Sequence, residues 1–285
     1  MEKEVTQVHE TTENQAADDI VSEVREKYGH IAETSGSCCA PSCCGGSSEN
    51  AMSLQIGYGK EELKEVPDGA DLGLGCGAPI GLLDLQPGEA VLDLGSGAGI
   101  DAFLAAKEVG PEGRVIGVDM TPQMLERARK NAASSGHENV EFREGRLEAL
   151  PVEDGSIDAV TSNCVINLVP DKAAVFREVA RVLKPGGRMV VADIVLDRPL
   201  PEAVAKDLAA WVGCISGALP RTEYIRLVES AGLGSVEVLR DVDQGAALEA
   251  VAPDQVADLL GRTGMKREDL VGAVRSVTFR AIKKA

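Results

Sequence analysis

Short apolar runs alternate with amphipathic segments through the middle of the chain, which predicts strands and helices in turn. Strands are predicted over residues 90–94, 114–118, 140–143, 157–161 and 188–194. Helices are predicted from residue 100, over 123–134 and over 172–183, the last ending at the sequence KPGG. Strand–helix alternation at this spacing indicates an α/β fold with a doubly wound, mostly parallel sheet, whose ligands bind beyond the carboxyl ends of the strands.

The two ends of the chain show other patterns, so we divide it into three regions, 1–50, 51–198 and 199–285. The first has an acidic start, a predicted helix over 18–32 and the tract SGSCCAPSCCGGSS, which has too little apolar content to fold alone and is expected to be flexible. The third has predicted helices near 203–214 and 222–231, strands near 235–239 and 274–282, and a helical stretch between these strands. Its last two strands suit an antiparallel end of the sheet, which makes this region α+β.

Composition narrows the class of protein. The 285 residues carry a formal charge of −17 and only 3% aromatic residues, which argues against binding to nucleic acid. No signal-peptide pattern opens the chain, and no apolar stretch reaches the roughly 18 residues of a membrane span. We therefore expect a cytoplasmic protein that is monomeric, since no exposed apolar stripe stands out, and whose seven cysteines are reduced ligands or nucleophiles.

The first predicted strand runs into DLGSGAG, a tight glycine turn before a helix, which suits close approach of a nucleotide-like ligand. The glycines follow a G-x-G-x-G spacing, whereas a dinucleotide fold needs G-x-G-x-x-G. Asp93 stands just before the turn, where it would repel a pyrophosphate and suit a cationic ligand such as a sulfonium amino acid. Asp119 ends the second predicted strand, about 20 residues on, where a ribose-binding acid is expected. A turn that binds another nucleotide is the alternative.

Three cysteines outside the N-terminal tract fall around this predicted site. Cys164 follows the fourth strand, Cys76 lies in the glycine-rich loop LGLGCG, and Cys214 closes a predicted helix. Each could instead be a small buried residue, a common fate of free cysteine, although a glycine-rich loop seldom buries a thiol. The three histidines fall outside the predicted site loops, which disfavours an acceptor that needs a histidine base. Thiolates together would bind a soft acceptor such as trivalent arsenic, which takes three sulfurs and keeps a lone pair.

Several sequence pieces, in their order along the chain, resemble the arsenite S-adenosylmethionine methyltransferase family of the class I methyltransferases: LGLGCG, DLGSGAGID, GVDMTPQML, SNCVINLVPDK, LKPGG, WVGCISGAL and the ending SVTFRAIKK. The match runs from about residue 55 to the end, and SNCVINLVPDK is its most specific piece. The resemblance implies a Rossmann-like fold, S-adenosylmethionine as methyl donor, and As(III) bound by Cys76, Cys164 and Cys214. It also implies a catalytic cysteine in the N-terminal region, which we assign to Cys44, with three alternatives: Cys38, Cys39 and Cys43.

The resemblance also implies a set of cofactor-binding residues, from the methionine end through the ribose and adenine to the methyl group: Asp93, Gly95, Ser96, Gly97, Asp119, Met120, Leu147 and Asn163. Some relatives pack a tyrosine on the cofactor from two residues before the first core cysteine, whereas this chain has Leu74 there. Asp101, at the start of the first helix of the core, is expected to complement the helix dipole.

The implied reaction is a direct displacement. Arsenite arrives as a thiol adduct, exchanges onto Cys164 and Cys214, and takes Cys76 as third ligand while the loop that carries Cys76 closes over the pocket. The arsenic lone pair then attacks the sulfonium methyl, and an external thiol reductant of the thioredoxin or glutathione type is the expected partner. The alternatives are a methyltransferase of a small organic acceptor and a non-catalytic metalloid-binding protein. The CC-x-x-x-CC motif of the tract could deliver arsenite, form a disulfide with Cys76, bind zinc or be dispensable.

Overall fold

The computed structural model describes residues 2–34, 51–201, 217–251 and 253–284. Within these ranges eight strands share one sheet: β1 (Ala90–Leu94), β2 (Arg114–Asp119), β3 (Val140–Glu144), β4 (Ile157–Asn163), β5 (Leu183–Leu196), β6 (Leu219–Pro220), β7 (Leu233–Asp243) and β8 (Val274–Lys283). Their order is β3-β2-β1-β4-β5-β8-β7, with β6 beside β5. The pairs among β1 to β5 are parallel, whereas β8 runs antiparallel to both β5 and β7. The predicted doubly wound sheet with an antiparallel end is confirmed.

Helices cover both faces of this sheet. The described part of the chain contains ten: α1 (Glu2–Thr34), α2 (Ala51–Ile56), α3 (Lys60–Glu65), α4 (Ile100–Val109), α5 (Pro122–Ser135), α6 (Lys172–Val182), α7 (Arg221–Ser230), α8 (Gln244–Val251), α9 (Pro253–Thr263) and α10 (Arg267–Leu270). None of these helices is both long and apolar enough to cross a membrane. The first helix is much longer than the predicted 18–32, because polar residues 2–17 continue it without a breaker.

Two predicted features lie outside the described residues. One is the cysteine tract with Cys38, Cys39, Cys43 and Cys44, and the other is the helix near 203–214 with Cys214. The division of the chain at residues 50 and 198 stays a prediction.

The KPGG sequence behaves differently from the prediction. It was expected to separate a helix from a strand that begins at residue 188, yet β5 begins at Leu183 and runs through these residues. The pairing with β4 shifts there, because Ile157 pairs with Leu183 while Ala159 pairs with Arg188. Gly186 takes a φ of +79°, which glycine adopts without strain. The glycines therefore form an irregularity inside β5, which continues through them as one strand.

The centre of the sheet is buried on both faces, which explains why β1 is apolar at nearly every position. Leu92 and Leu94 pack in a cluster with Val179 of α6 and Tyr224 of α7. Val91, which precedes Leu92, packs on the other face with residues of α4 and α5. Alternate residues of a strand point to opposite faces, so a strand covered on both sides reads as a continuous apolar run.

The strand order places β1 between β2 and β4. From β1 the chain continues to β2 and β3 on one side of β1, and it then crosses to β4 on the other side. The connections that follow β1 and β4 therefore run in opposite directions, and a crevice opens between the carboxyl ends of these two strands. Open α/β sheets bind ligands in the crevice at such a point. The sequence segments that follow β1, β2 and β4 therefore form the floor of the site described next.

Candidate active site

A cleft of roughly 1130 Å³, including the space that opens to solvent, lies at the carboxyl ends of β1, β2 and β4. This volume slightly exceeds the range of about 300–1,000 Å³ that is usual for small-molecule sites. The cleft brings together all eight predicted cofactor-binding residues and one predicted arsenic ligand: Asp93, Gly95, Ser96, Gly97, Asp119, Met120, Leu147, Asn163 and Cys164. Their individual roles stay predictions, but the structure places these residues in one cleft.

The turn after β1 has a backbone that only glycine accepts easily. Gly95, Gly97 and Gly99 have φ values of +65°, +53° and +102°, in the left-handed region. A Cβ atom on Gly95 would also lie 2.4 Å from Cγ1 of Val165, which is closer than real contacts allow. The amide groups of Gly95 and Ser96 donate to the carbonyl of Val118, which fixes the turn against β2. Directly after it α4 begins, so the positive end of a helix faces the cleft.

Asp93 and Asp119 give this part of the cleft its negative charge. Both oxygens of Asp119 accept backbone hydrogen bonds, from Gly97 at 2.9 Å and from Thr121 at 2.8 Å, so its carboxylate has a fixed position. Asp93 is only 2% exposed, and its Oδ2 has no hydrogen-bond partner among the described residues. Burial, with the nearby Asp101 and Asp119, raises the pKa of Asp93 well above its ordinary value.

These unpaired atoms fit a cationic, polar ligand. Two further buried oxygens of the lining, Oγ of Ser96 and Oδ2 of Asp71, also lack a partner among the described residues. A buried polar atom without a partner is rare in a native protein and calls for a ligand or an ordered water. The methionine end of S-adenosylmethionine has a sulfonium and an ammonium group, and both suit carboxylates held in this way.

The remaining wall of the cleft is apolar. Leu147 follows β3 and is 5% exposed, and Met120 and Met124 also belong to the lining. From the other side α1 contributes Val24 and Tyr28 to the lining. The sequence analysis missed this contribution of α1, although apolar residues three to four positions apart in its helical pattern are a signal of a buried face.

The two described cysteines are both buried, Cys76 at 6% and Cys164 at 8% exposure. They pack in one apolar cluster that includes Ala192 of β5. The amide of Cys164 donates to the carbonyl of Ala192 at 2.8 Å, and Cys164 has a φ of +60°. A left-handed backbone is uncommon for a residue other than glycine and is found preferentially at functional sites. Cys214 and Cys44 lie outside the described residues.

Asn163 lines the cleft as predicted, but its side chain also holds other parts of the protein together. Its Oδ1 accepts from the amides of Cys76 at 3.0 Å and Gly77 at 3.2 Å. Its Nδ2 donates to the carbonyl of Gly77 at 2.7 Å, to the hydroxyl of Tyr58 at 2.9 Å and to Asp101 at 3.2 Å. The sequence placed Asn163 beside the methyl group and gave no sign of these contacts.

Asp101 differs from the expected helix-dipole residue. It does begin α4, but it is 3% exposed and accepts the hydroxyl hydrogen of Tyr58 at 2.8 Å. Burial raises its pKa, while the hydrogen bonds from Tyr58 and Asn163 oppose that change. Tyr58 was missed altogether, because nothing near it in the sequence resembles a site motif.

Known proteins with similar sequences or structures indicate the family of this chain. The profile of the family described as "Methyltransferase domain" matches residues 85–232. An arsenite methyltransferase of Halobacterium salinarum is 47% identical over 75% of this chain and 57% of its own length, and one of Aquipseudomonas alcaligenes is 38% identical over 76% and 63%. The crystal structure of an arsenic(III) S-adenosylmethionine methyltransferase from Chlamydomonas reinhardtii superposes with a TM-score of 0.60, at 35% identity, over 84% of this chain and 75% of that one.

The fold, the glycine turn and the acids around it define a class I methyltransferase. Within this class the chain belongs to the arsenite S-adenosylmethionine methyltransferase family, as its sequence resemblance indicated. It spans about three fifths of the length of the two curated relatives described above.

Proposed function

We propose that this protein transfers methyl groups from S-adenosylmethionine to trivalent arsenic held by its cysteine thiolates. The observation that supports this most is the position of Cys164 and Cys76, two buried thiols that pack together beside the acid-lined cleft. The names of the relatives, arsenite methyltransferase, support the same substrate.

The donor end of the site follows from the residues of the cleft. S-adenosylmethionine supplies an electrophilic methyl carbon on a positively charged sulfur. Asp93 offers an unpaired carboxylate oxygen to the positive charge, Asp119 offers its remaining lone pairs to the ribose, and Leu147 provides an apolar surface for the adenine. These residues would hold S-adenosylmethionine at the ends of β1 and β2, next to Cys164, which follows the neighbouring strand β4.

At the acceptor end, the thiols of Cys76, Cys164 and Cys214 displace the thiol ligands of an arsenite–thiol adduct, each released thiol carries away the proton of the cysteine that displaces it, and the arsenic lone pair stays exposed. This lone pair forms the new bond to carbon while the carbon–sulfur bond breaks and its electrons remain on sulfur. The reaction requires no base, and neither His30 nor His137 lines the cleft. Arsenic loses two electrons in each transfer, so a thiol reductant of the thioredoxin or glutathione type must restore the trivalent state.

The test is methyl transfer from labelled S-adenosylmethionine to arsenite with a thiol reductant, with the arsenic species separated by chromatography. We expect methylated arsenic from the wild type and none from Cys164→Ser. Cys76→Ser should lose the first methylation yet still methylate monomethyl arsenite, which has one fewer site for a thiolate. Binding of the cofactor without any methylated arsenic would favour an organic acceptor. Full activity of Cys164→Ser would contradict the role of the thiols in arsenic binding and leave them with a role in packing alone.

A further inference from the structure

The contacts of Cys76 point to a device that holds this thiol in position. Cys76 lies in the loop of residues 73–78, which we call the cysteine loop. Tyr58, Asp101 and Asn163, which we call the Tyr58 cluster, form a buried network against it. We propose that the Tyr58 cluster holds the cysteine loop closed, and that Tyr58 is thereby a positioning residue for the first methylation of arsenic. The second part of this inference rests on the proposed function.

The cysteine loop is attached to the sheet from two sides. Asn163, at the end of β4, accepts the amides of Cys76 and Gly77 and donates to the carbonyl of Gly77. Ser276 of β8 donates to the carbonyl of Cys76 at 2.6 Å. The loop therefore rests closed against β4 and β8.

Two glycines make this close approach feasible. A Cβ atom on Gly75 would lie 2.7 Å from Nδ2 of Asn163, and one on Gly77 would lie 2.6 Å from Cβ of Ala192. Both distances are shorter than real contacts, so larger residues would push the loop away from Asn163 and β5. The glycine-rich sequence around Cys76 thus fits close docking of the loop as well as flexibility.

The Tyr58 cluster fixes which way the amide of Asn163 points. An amide in the opposite orientation would turn Oδ1 toward the carboxylate of Asp101, and it would turn Nδ2 toward the amide of Cys76, where donor would face donor. Tyr58 adds to this preference, because its hydroxyl donates to Asp101 and accepts from Asn163. Without this hydroxyl, the amide of Asn163 is held less firmly in the orientation in which it binds the cysteine loop.

The hydrogen-bonding capacity of Asn163 is taken up within the protein. Its oxygen accepts two backbone amides, and its two amide hydrogens serve three acceptors. A change in the Tyr58 cluster should therefore act on the first methylation chiefly through the position of Cys76.

The first experiment measures the rate at which iodoacetamide alkylates Cys76 in the reduced full-length chain, by peptide mass spectrometry. Tyr58→Phe keeps the ring and removes only the hydroxyl, and we expect it to raise this rate about fivefold, the effect of one ordinary hydrogen bond on opening of the loop. The matched control is Tyr224→Phe, which removes another buried hydroxyl from an aspartate, Asp193, that it contacts at 3.2 Å. The control should react like the wild type, and equal rates in all three proteins would overturn the positioning role.

The second measurement compares substrates in the same variants. In Tyr58→Phe the KM for arsenite should rise about fivefold, since Cys76 is needed as third ligand, while methylation of monomethyl arsenite should change much less. An equal loss with both substrates would indicate a general structural defect and contradict the inference. If Tyr58→Phe speeds alkylation of Cys76 but the wild type does not methylate arsenite, the proposed function is wrong, and so is the part of the inference that rests on it.

Discussion

The two halves of the site are assembled in different ways. The cofactor half, formed by residues 93–99 and Asp119, consists of short segments that each follow a central strand directly. The cysteine half consists of the cysteine loop, residues 163–164 and the parts of β5 and β8 behind them. Its key contacts join residues far apart in the sequence: Tyr58 and Asn163 are 105 positions apart, and Cys76 and Ser276 are 200 apart.

The polar groups of the two halves also differ in what they bind. Asp93, in the cofactor half, keeps one buried oxygen without a partner among the described residues. Asn163, in the cysteine half, has both its oxygen and its nitrogen engaged by the protein. The cofactor half thus has a buried oxygen available to an external cation, whereas the polar groups of the cysteine half bind the cysteine loop. Substitutions in the first should change ligand affinity, and substitutions in the second should change loop position.

The largest effect is expected from Asp93→Asn. It removes a buried negative charge from the part of the cleft that is proposed to bind the cation, and loss of one partner of a buried ion pair costs about 3 kcal/mol or more. We therefore expect affinity for S-adenosylmethionine to fall about a hundredfold, measured by calorimetry. The unliganded variant should be more stable than the wild type, because burial already disfavours the charge of Asp93.

Asp193→Asn is the matched control for this substitution, since Asp193 is equally buried but does not line the cleft. It should keep wild-type affinity for the cofactor. If both variants bind alike, Asp93 does not serve the cation. A comparison with S-adenosylhomocysteine, whose sulfur is neutral, separates the two cationic groups: a much smaller loss for this ligand would place Asp93 at the sulfonium, and an equal loss would place it at the ammonium.

The cofactor half was largely predictable from the sequence because its chemistry is local. The strand at Ala90–Leu94 agrees with the prediction at both ends, and the glycine turn follows it directly. A strand, a turn that needs positive φ and a helix start are all determined by neighbouring residues, so one segment of sequence specifies all three. The acids at the ends of β1 and β2 then meet because parallel neighbours present the same edge.

The cysteine half was only partly predictable, because its contacts depend on tertiary structure. The position of Cys164 followed from the end of β4, but the partners of Asn163 did not, since Tyr58 comes from the segment between α2 and α3. Asp101 looked like an ordinary acid in the first turn of a helix, and its burial depends on how that segment packs over α4. No periodicity in the sequence specifies such a meeting of distant side chains.

A second, smaller effect concerns the pH dependence of stability behind the cysteine half. Burial raises the pKa of Asp193 to about 7, although hydrogen bonds from Ile194 and Tyr224 and the charge of Lys172 oppose the change. Between about pH 4 and pH 7 the folded protein binds a proton that the unfolded chain has released, so this residue lowers stability as pH rises through that window. Below it both states are protonated, and above it the full penalty is present.

Asp193→Asn should remove this dependence, so that it stabilises the protein at pH 8 and destabilises it by about 1 kcal/mol at pH 4.5, where most of the penalty is absent. The full pKa shift corresponds to roughly 4 kcal/mol, and the weaker hydrogen bonds of an amide to Ile194 and Tyr224 should reduce the gain to about 2 kcal/mol. Urea unfolding at the two pH values measures this gain. A variant whose gain is the same at both would show that Asp193 is not the source of the pH dependence.

The smallest effect is expected from Ser276→Ala, and it tests whether the cysteine loop opens as one unit. Ser276 and Asn163 hold Cys76 from opposite sides, at its carbonyl and at its amide. The loss of one neutral hydrogen bond should speed alkylation of Cys76 about threefold, equivalent to roughly 0.7 kcal/mol. If the whole loop leaves the sheet together, each lost contact lowers the free energy of opening separately, and the double variant with Tyr58→Phe should react about fifteenfold faster than the wild type.

A double variant no faster than Tyr58→Phe would mean that the loop turns about an intact contact to β8. Opening would then release only the amide side of Cys76, and the Tyr58 cluster alone would control the thiol.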